Sequence, residues 1–124
     1  MDASTISAGA LVRLQELNPS SPNFKQGASF RVIGKLQEYD LETAVAIIVD
    51  GDASLKVDTQ YLTLNLRPGS LYQFIGELQI EPNTEGILKA RVGRNVDGLD
   101  INLYHQTMQL VRHFQAEQAG IRTS

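Results

Sequence analysis

The sequence predicts a mainly β protein, a small barrel of five strands followed by one C-terminal α-helix. Two observations predict this fold. Between residues 27 and 98, bulky residues alternate with polar ones in short runs that are separated by turn residues rather than by helices. From residue 99 onward the apolar period changes from two to about 3.6. Short strands joined by short loops are typical of a small antiparallel barrel.

The strands follow from alternation and from the turns between them. The predicted strands cover residues 29–39, 43–49, part of 55–66, 71–80 and 87–96. Asp50, Gly51 and Asp52 form a hairpin signal after the second strand, because aspartate and glycine accept the backbone angles of tight turns.

The N-terminal part is less regular. Leucines spaced by three at Leu11, Leu14 and Leu17 fit either a helical turn or an irregular extended segment, and the prolines within 18–23 indicate a loop. The whole chain is expected to form a single domain. Its parts are an N-terminal extension that packs on the barrel (1–26), the barrel (27–98) and the helix (99–120).

Two strands share a sequence pattern with a glycine in the middle. GASFRVIGKLQ (27–37) aligns without a gap with GSLYQFIGELQ (69–79), so that Gly34 corresponds to Gly76. Glycine inside a strand weakens it, because it adds backbone entropy and supplies no side chain to pack. A barrel of few strands must curl tightly, and glycine permits a sharp bend. We therefore predict that both glycines are corner positions of the barrel.

The composition excludes several classes of function. The 124-residue chain has no cysteine, which removes disulfides, thiolate metal sites and cysteine nucleophiles. Its formal net charge is −3 with scattered basic residues, so binding to nucleic acid should be weak or shared with a partner. No apolar run approaches the ~20 residues that span a bilayer, and the N-terminus lacks the layout of a secretory signal. We expect an intracellular protein with no membrane contact.

The sequence shows no catalytic constellation. Its two histidines, His105 and His113, are eight residues apart on the predicted helix and point in directions about 80° apart, so they make no metal pair. Both are predicted to be solvated. No phosphate-binding loop and no set of nucleophile, base and orienting group is present. We expect no enzymatic activity, no metal and no cofactor.

The predicted helix has more apolar surface than a barrel lid requires. Asp100 is its predicted N-cap and Gly120 its predicted C-terminal glycine. A helix that only covers the end of a barrel needs an apolar stripe of about 100° of its circumference, whereas the apolar stripe of this helix covers roughly 160°. Either the barrel covers more of the helix, or part of the stripe meets a second protein. The stripe comprises Leu103, Tyr104, Thr107, Met108, Leu110, Val111 and Phe114.

Several motifs resemble those of one known family. They are Gly69-Ser70-Leu71-Tyr72 with Gly76-Glu77-Leu78-Gln79 on one strand, Lys89-Ala90-Arg91-Val92 followed by Gly98, and Arg31 with Gly34 and Leu36 on the first strand. Their order and spacing are similar to those of the small, Ten-one-type subunit of the CST telomere complex. The likeness extends from residue 27 to about residue 120 and is poor between 50 and 68.

This resemblance implies an OB-fold, a five-stranded Greek-key barrel with a C-terminal helix. It implies a non-catalytic subunit that forms a heterodimer with the Stn-one OB-fold subunit, joins the large CST subunit and assists binding of single-stranded telomeric DNA, telomere capping and replication. The expected location is the nucleus, at the telomeres of chromosomes. Leu99, Phe114 and Arg31 match partner contacts of the family, where tyrosine often replaces Phe114. With the helix stripe, the expected partner contacts are Arg31, Leu99, Leu103, Tyr104, Met108, Val111 and Phe114.

Two alternatives remain open. One is a stand-alone module that binds single-stranded nucleic acid, with Tyr39, Tyr61 and Tyr72 as candidates for base stacking. The other is a homodimer formed through the same helix face. The expected weak nucleic-acid contacts are Lys35, Tyr72, Lys89, Arg91 and Arg94.

Overall fold

The computed structural model describes the backbone of residues 10–123 and the side chains of residues 10–117. The expected N-terminal extension is therefore described only from Ala10 onward. The elements in chain order are β1 (Ala10–Leu11), a 3₁₀ turn (Leu14–Glu16), β2 (Ser29–Asp40), β3 (Val45–Asp50), β4 (Ala53–Asp58), β5 (Leu71–Ile80), β6 (Gly86–Asn95) and α1 (Ile101–Thr123).

Strands β2 to β6 close into a barrel. Hydrogen-bonded neighbours follow the order β2, β3, β4, β6 and β5, and β5 pairs with β2 to close the ring. All these pairs are antiparallel except β4 with β6, because the chain after β4 first crosses to β5 and then returns beside β4. The five-stranded Greek-key OB-fold with a C-terminal helix is thus confirmed.

The barrel interior is filled by one face of each strand. Alternation along β2 and β5 turns every second side chain inward, and the largest of them are fully buried. The N-terminal segment adds to this core, and it combines both alternatives left open by its sequence: β1 is extended and parallel to β2, and the next residues form one 3₁₀ turn. Core residues from these segments include Val12, Leu14, Leu17, Phe30, Val32, Leu36, Tyr72, Phe74 and Leu78.

The third strand occupies only the first part of the 55–66 stretch, and an irregular segment follows it, as the weak alternation there indicated. β4 begins at Ala53 and ends at Asp58, and the rest of 59–70 is irregular. Just after the last paired residue of β4, Thr59 donates to the carbonyl of Ala44 through its amide (2.8 Å) and its hydroxyl (2.7 Å). The alternating leucines that follow are half-buried against the core without pairing to a strand.

Gly34 and Gly76 lie at different points of the strand ladders, and a Cβ would meet different neighbours at each. Gly34 precedes Lys35, the residue at which β2 is paired with both β3 and β5. Gly76 adjoins a β-bulge in the β5–β6 ladder, and a Cβ there would lie 2.1 Å from the carbonyl oxygen of Lys89. A Cβ at Gly34 would meet the side chain of Ile48 at 3.0 Å. Gly76 is therefore required by backbone contact, whereas Gly34 is crowded by the buried side chain of Ile48.

The predicted start of the helix is correct and its predicted end is wrong. Asp100 caps α1, since its Oδ1 accepts the amide hydrogen of Leu103 at 3.1 Å. The helix continues through Gly120 to Thr123, because glycine permits a helix to end but does not force it to end. Within the described residues, no helix is long and apolar enough to cross a membrane.

Candidate partner-binding surface

Helix α1 packs on the barrel through a face that is half polar. Met108 is 2% exposed and His105 is 8% exposed, and Tyr104 and Arg112 lie on the same side of the helix. The prediction that Met108 contacts a partner is therefore wrong, because its own chain already covers this side chain. We call Tyr104, His105, Met108 and Arg112 the inner face.

Arg112 ties the inner face to the N-terminal segment. Its guanidinium forms a two-pronged ion pair with Glu16, with N–O distances of 2.7 and 2.9 Å, and also donates to the carbonyl of Leu11. Glu16 accepts the amide hydrogen of Arg13 at 2.8 Å as well. The hydrogen bond from Arg112 lowers the pKa of Glu16 more than burial raises it. The carboxylate is thus held in its charged form.

His105 ties the helix to the end of β3. Its Nε2 lies 3.0 Å from Oδ2 of Asp50. Burial lowers the pKa of His105 and the charge of Arg13 lowers it further, while the carboxylate of Asp50 acts in the opposite direction. The prediction that His105 is solvated is wrong, because its partner is 55 positions away in sequence and a helical wheel cannot reveal it. His113 is exposed and lies 3.5 Å from Glu117.

Tyr104 and Arg31 lie where the helix meets the barrel. The hydroxyl of Tyr104 and Nε of Arg31 are both buried, and neither has a hydrogen-bond partner among the described residues. Burial raises the pKa of Tyr104, whereas Arg31, Gln73 and Arg112 act to lower it. Both residues were predicted as partner contacts, and both are half-buried at this junction.

The side of α1 next to the inner face is apolar and uncovered. Phe114 is 60% exposed, Leu110 is 69% exposed and Leu103 is 59% exposed. Val111 and Leu99, which precedes the helix, are exposed to a lesser degree. The sequence analysis predicted these exposed apolar residues as partner contacts, with one exception. Leu110 belonged to the apolar stripe but was not among the predicted contacts. We call Leu99, Leu103, Leu110, Val111 and Phe114 the outer face.

A row of outward-facing side chains crosses three strands. Arg31 on β2 is opposite Ile75 on β5, which is opposite Val92 on β6. Val92 is 47% exposed, although Leu88 and Ala90 before it point inward. The bulge beside Gly76 leaves Arg91 as an extra residue and shifts the alternation by one position. Sequence reasoning missed Val92, because strict alternation would turn it into the core.

The predicted nucleic-acid contacts do not converge on one site. Tyr72 is fully buried, its hydroxyl donates to the carbonyl of Asn65 (3.2 Å) and accepts from the amide of Arg67 (2.8 Å), so it cannot stack on a base. That prediction is wrong. Lys89 and Arg91 line a shallow cavity of about 390 Å³ together with Tyr61.

The other two predicted basic residues lie apart from this cavity. Lys35 is at the far end of the β2–β5 ladder, opposite Leu71, and Arg94 donates to the side chain of Gln73 at 2.8 Å. Arg91 forms an ion pair with Glu77 at 2.6 Å, which uses part of its charge. The described residues contain no group of three or more His, Asp and Glu side chains that could hold a metal ion.

Comparison with known proteins identifies the family. A family model described as "Telomere-capping, CST complex subunit" matches residues 5–118. The chain belongs to this family. It is 52% identical over 120 residues to the CST complex subunit TEN1 of Arabidopsis thaliana, and the match covers 95% of this chain and 94% of the relative. It is 27% identical over 106 residues to the CST complex subunit TEN1 of Homo sapiens, covering 82% and 86%.

Solved structures agree at the level of the fold. A chain of the S. pombe Stn1–Ten1 complex matches with a TM-score of 0.71 at 18% identity, covering 85% of this chain and 92% of that chain. Family membership confirms the resemblance found in the strand and helix motifs. The relatives are named as subunits of a complex rather than as enzymes.

Proposed function

We propose that this chain is a non-catalytic CST subunit that binds and stabilises the Stn1 (Stn-one) subunit through the outer face of α1 and the adjoining barrel. In this proposal it acts in the nucleus, at telomeres, together with the large CST subunit, and supports telomere capping and replication. The observation that carries the proposal is the uncovered outer face. A closed barrel leaves these side chains in water, although the helix that bears them is otherwise firmly attached.

The energetics favour a protein partner for the outer face. Full burial of a leucine, valine or phenylalanine side chain contributes roughly 1.5–3 kcal/mol. Contiguous exposed apolar residues are typical of interaction sites, and a few buried anchors usually dominate the binding free energy. The S. pombe Stn1–Ten1 complex supports Stn1 as the partner, and the name of the Arabidopsis relative supports membership of a CST complex. Arg31, Tyr104 and Val92 would lie at the edge of such an interface.

Co-expression with the Stn1 subunit tests the proposal. We expect a one-to-one complex, and we expect Phe114→Ala and Leu99→Glu each to weaken it by about tenfold or more, as for interface anchors. Gln109→Ala is the matched control, since Gln109 is exposed on the same helix but outside the outer face. Calorimetric titration measures the affinities. Unchanged affinity of both outer-face variants would contradict the proposed surface, and a concentration-dependent dimer of the chain alone would favour the homodimer.

A second proposed role is assistance in binding single-stranded DNA. The observation that favours it is the cavity that brings Lys89 and Arg91 beside Tyr61, which is 73% exposed. An exposed ring can stack on a base, and neighbouring cations can contact phosphates. Because Lys35 and Arg94 lie elsewhere, we expect a short contact that works within the complex rather than a stand-alone binding site.

Titration of the complex with a labelled single strand tests this role. Stacking on one base is worth about 1–3 kcal/mol, so Tyr61→Ala should weaken binding by roughly five-fold to a hundred-fold. Lys25→Ala, which removes an exposed cation from another part of the surface, should have a small effect. Equal effects of the two substitutions would count against the Tyr61 contact.

A further inference from the structure

A second surface feature lies between two loops of the barrel. An open groove with a volume of about 910 Å³ is bounded by the loop at 41–44 and the loop at 81–85. Its floor consists of outward-facing side chains of β3, β4 and β6, namely Val45, Ile47, Lys56 and Ile87. In OB-folds the face of the second and third barrel strands, with these two loops, is the usual place for oligonucleotides and oligosaccharides.

The negative charge of this groove disfavours binding of a nucleic acid. Its one cation, Lys56, is bound to Glu85 at 2.9 Å, so it is already neutralised. The groove alone carries more negative charge than the whole chain, whose formal net charge is −3. Phosphates would be repelled, since their binding depends on neutralisation by cations. The carboxylates that line the groove are Glu38, Asp40, Glu42, Glu81 and Glu85.

The same groove offers apolar surface to a ligand. Leu41 is 82% exposed, the highest value among the exposed large apolar residues of the described chain. It stands beside the apolar floor formed by Val45, Ile47 and Ile87 and beside the ring of Tyr39. A single exposed leucine is ordinary, but one that borders a concave apolar floor adds to a surface that a ligand can cover.

The two loops are held in place before any ligand arrives. The carbonyl of Ala44 accepts two hydrogen bonds from Thr59, at 2.8 and 2.7 Å. In the second loop, Glu81 donates its amide hydrogen to Glu85 (2.7 Å), and Thr84 donates its amide hydrogen to Glu81 (2.8 Å). A preformed groove loses little conformational entropy on binding.

We propose that this groove binds a protein segment in which Lys or Arg residues flank an apolar side chain. The cations would pair with the free carboxylates, and the apolar side chain would cover Leu41 and Ile47. Charge complementarity selects this occupant over a nucleic acid. The groove shares no residue with the outer face of α1, so this site is distinct from the proposed Stn1 contact.

A peptide titration tests the proposal. The probe is a fluorescently labelled peptide, Lys-Lys-Gly-Leu-Gly-Lys-Lys, added to the full chain at low and moderate salt. The comparison probes replace its leucine by serine, replace its lysines by glutamates, or consist of a twelve-nucleotide oligothymidine. We expect the lysine–leucine peptide to bind most tightly, with affinity that falls as salt is added.

Variants of the groove separate specific binding from general attraction. Glu38→Lys with Glu42→Lys should weaken peptide binding by about tenfold or more, as should Leu41→Ser, whereas Glu117→Lys on the helix should change it less than twofold. These side chains are exposed, and thermal unfolding checks that each variant is folded. Amide chemical-shift changes at Ala44 and Thr84 would support the groove as the site.

Three outcomes would overturn the proposal. The first is equal binding of the leucine and serine peptides. The second is a response to Glu117→Lys as large as that to the groove variants. The third is tighter binding of the oligothymidine than of the peptide, together with weaker oligothymidine binding by the Leu41→Ser variant. That result would make the groove a nucleic-acid site.

Discussion

The two faces of α1 reverse the usual arrangement of an amphipathic helix. The inner face, which packs on the barrel, contains a histidine, an arginine and a tyrosine beside one buried methionine. The outer face, which meets water, consists of leucines, a valine and a phenylalanine. A helix that only covers a barrel places its apolar stripe inward. It follows that one buried methionine and a few long-range polar contacts attach this helix, while most of its apolar surface remains available for a partner.

The largest expected effect on folding is at the centre of the inner face. Met108→Ala removes a buried side chain and should destabilise the chain by about 2–3 kcal/mol, within the range for such truncations in cores. Urea unfolding of the isolated chain measures it. A loss below about 0.5 kcal/mol would mean that the inner face does not hold the helix, and the comparison between the faces would fail.

The ion pair between Glu16 and Arg112 should have the next largest effect. Because both side chains are partly exposed, we expect Glu16→Gln to cost only about 0.5–1 kcal/mol near neutral pH. The pKa of Glu16 is lowered in the folded chain, so its contribution is present above the unfolded pKa and is lost as pH falls through the folded pKa.

Unfolding measured between about pH 5 and pH 3 isolates this contribution. The original chain should lose more stability over that window than the Glu16→Gln variant does. If the unfolding free energies of the two proteins fell equally with pH, the ion pair would not contribute to the stability of the inner face. Thr63→Ala, an exposed substitution away from the helix, is the matched control.

His105 should produce a smaller effect at higher pH. Burial lowers its pKa in the folded chain, so its contribution is present above the unfolded pKa of about 6.5 and is lost as pH falls through the lower folded pKa. Replacing His105 by Gln should flatten the stability profile below about pH 6.5. If the original chain instead gained stability as His105 was protonated, its ion pair with Asp50 would outweigh the burial.

The smallest effect on folding is expected on the outer face. Leu110→Gln and Phe114→Ala should each change the unfolding free energy of the isolated chain by no more than about 0.5 kcal/mol, because both side chains are largely exposed. Differential scanning calorimetry of the chain without a partner measures this. A destabilisation above 1 kcal/mol would show that the outer face supports the fold, and would argue against its proposed role as a surface that is free to bind a partner.

The candidate site was predicted in part from sequence, and each error has a local cause. Leu103 and Val111 were selected because the helical wheel is more apolar than a barrel cover requires, Leu99 because the family resemblance implied it, and Phe114 on both grounds. All four are exposed. The wheel could not say which edge of the stripe the barrel covers. Met108 was therefore assigned to the wrong side, and Leu110 was left out.

Errors in the sheet arose from a different cause. Val92 was missed because a bulge in the ladder shifts the alternation of β6. Tyr72 was named as a base-stacking candidate because tyrosine suits both an exposed stacking position and a core position. In the structure it lies in the core, where its hydroxyl makes two hydrogen bonds to an irregular segment. Neither the bulge nor those hydrogen bonds has a signature in local spacing.

The barrel strands, the N-cap of the helix and the family were predictable from residue type and from the spacing of near neighbours. The side of α1 that meets the barrel was not predictable in this way. That choice depends on Glu16 reaching Arg112 across 96 positions and on Asp50 reaching His105 across 55. Such contacts form only once the barrel has brought distant segments together.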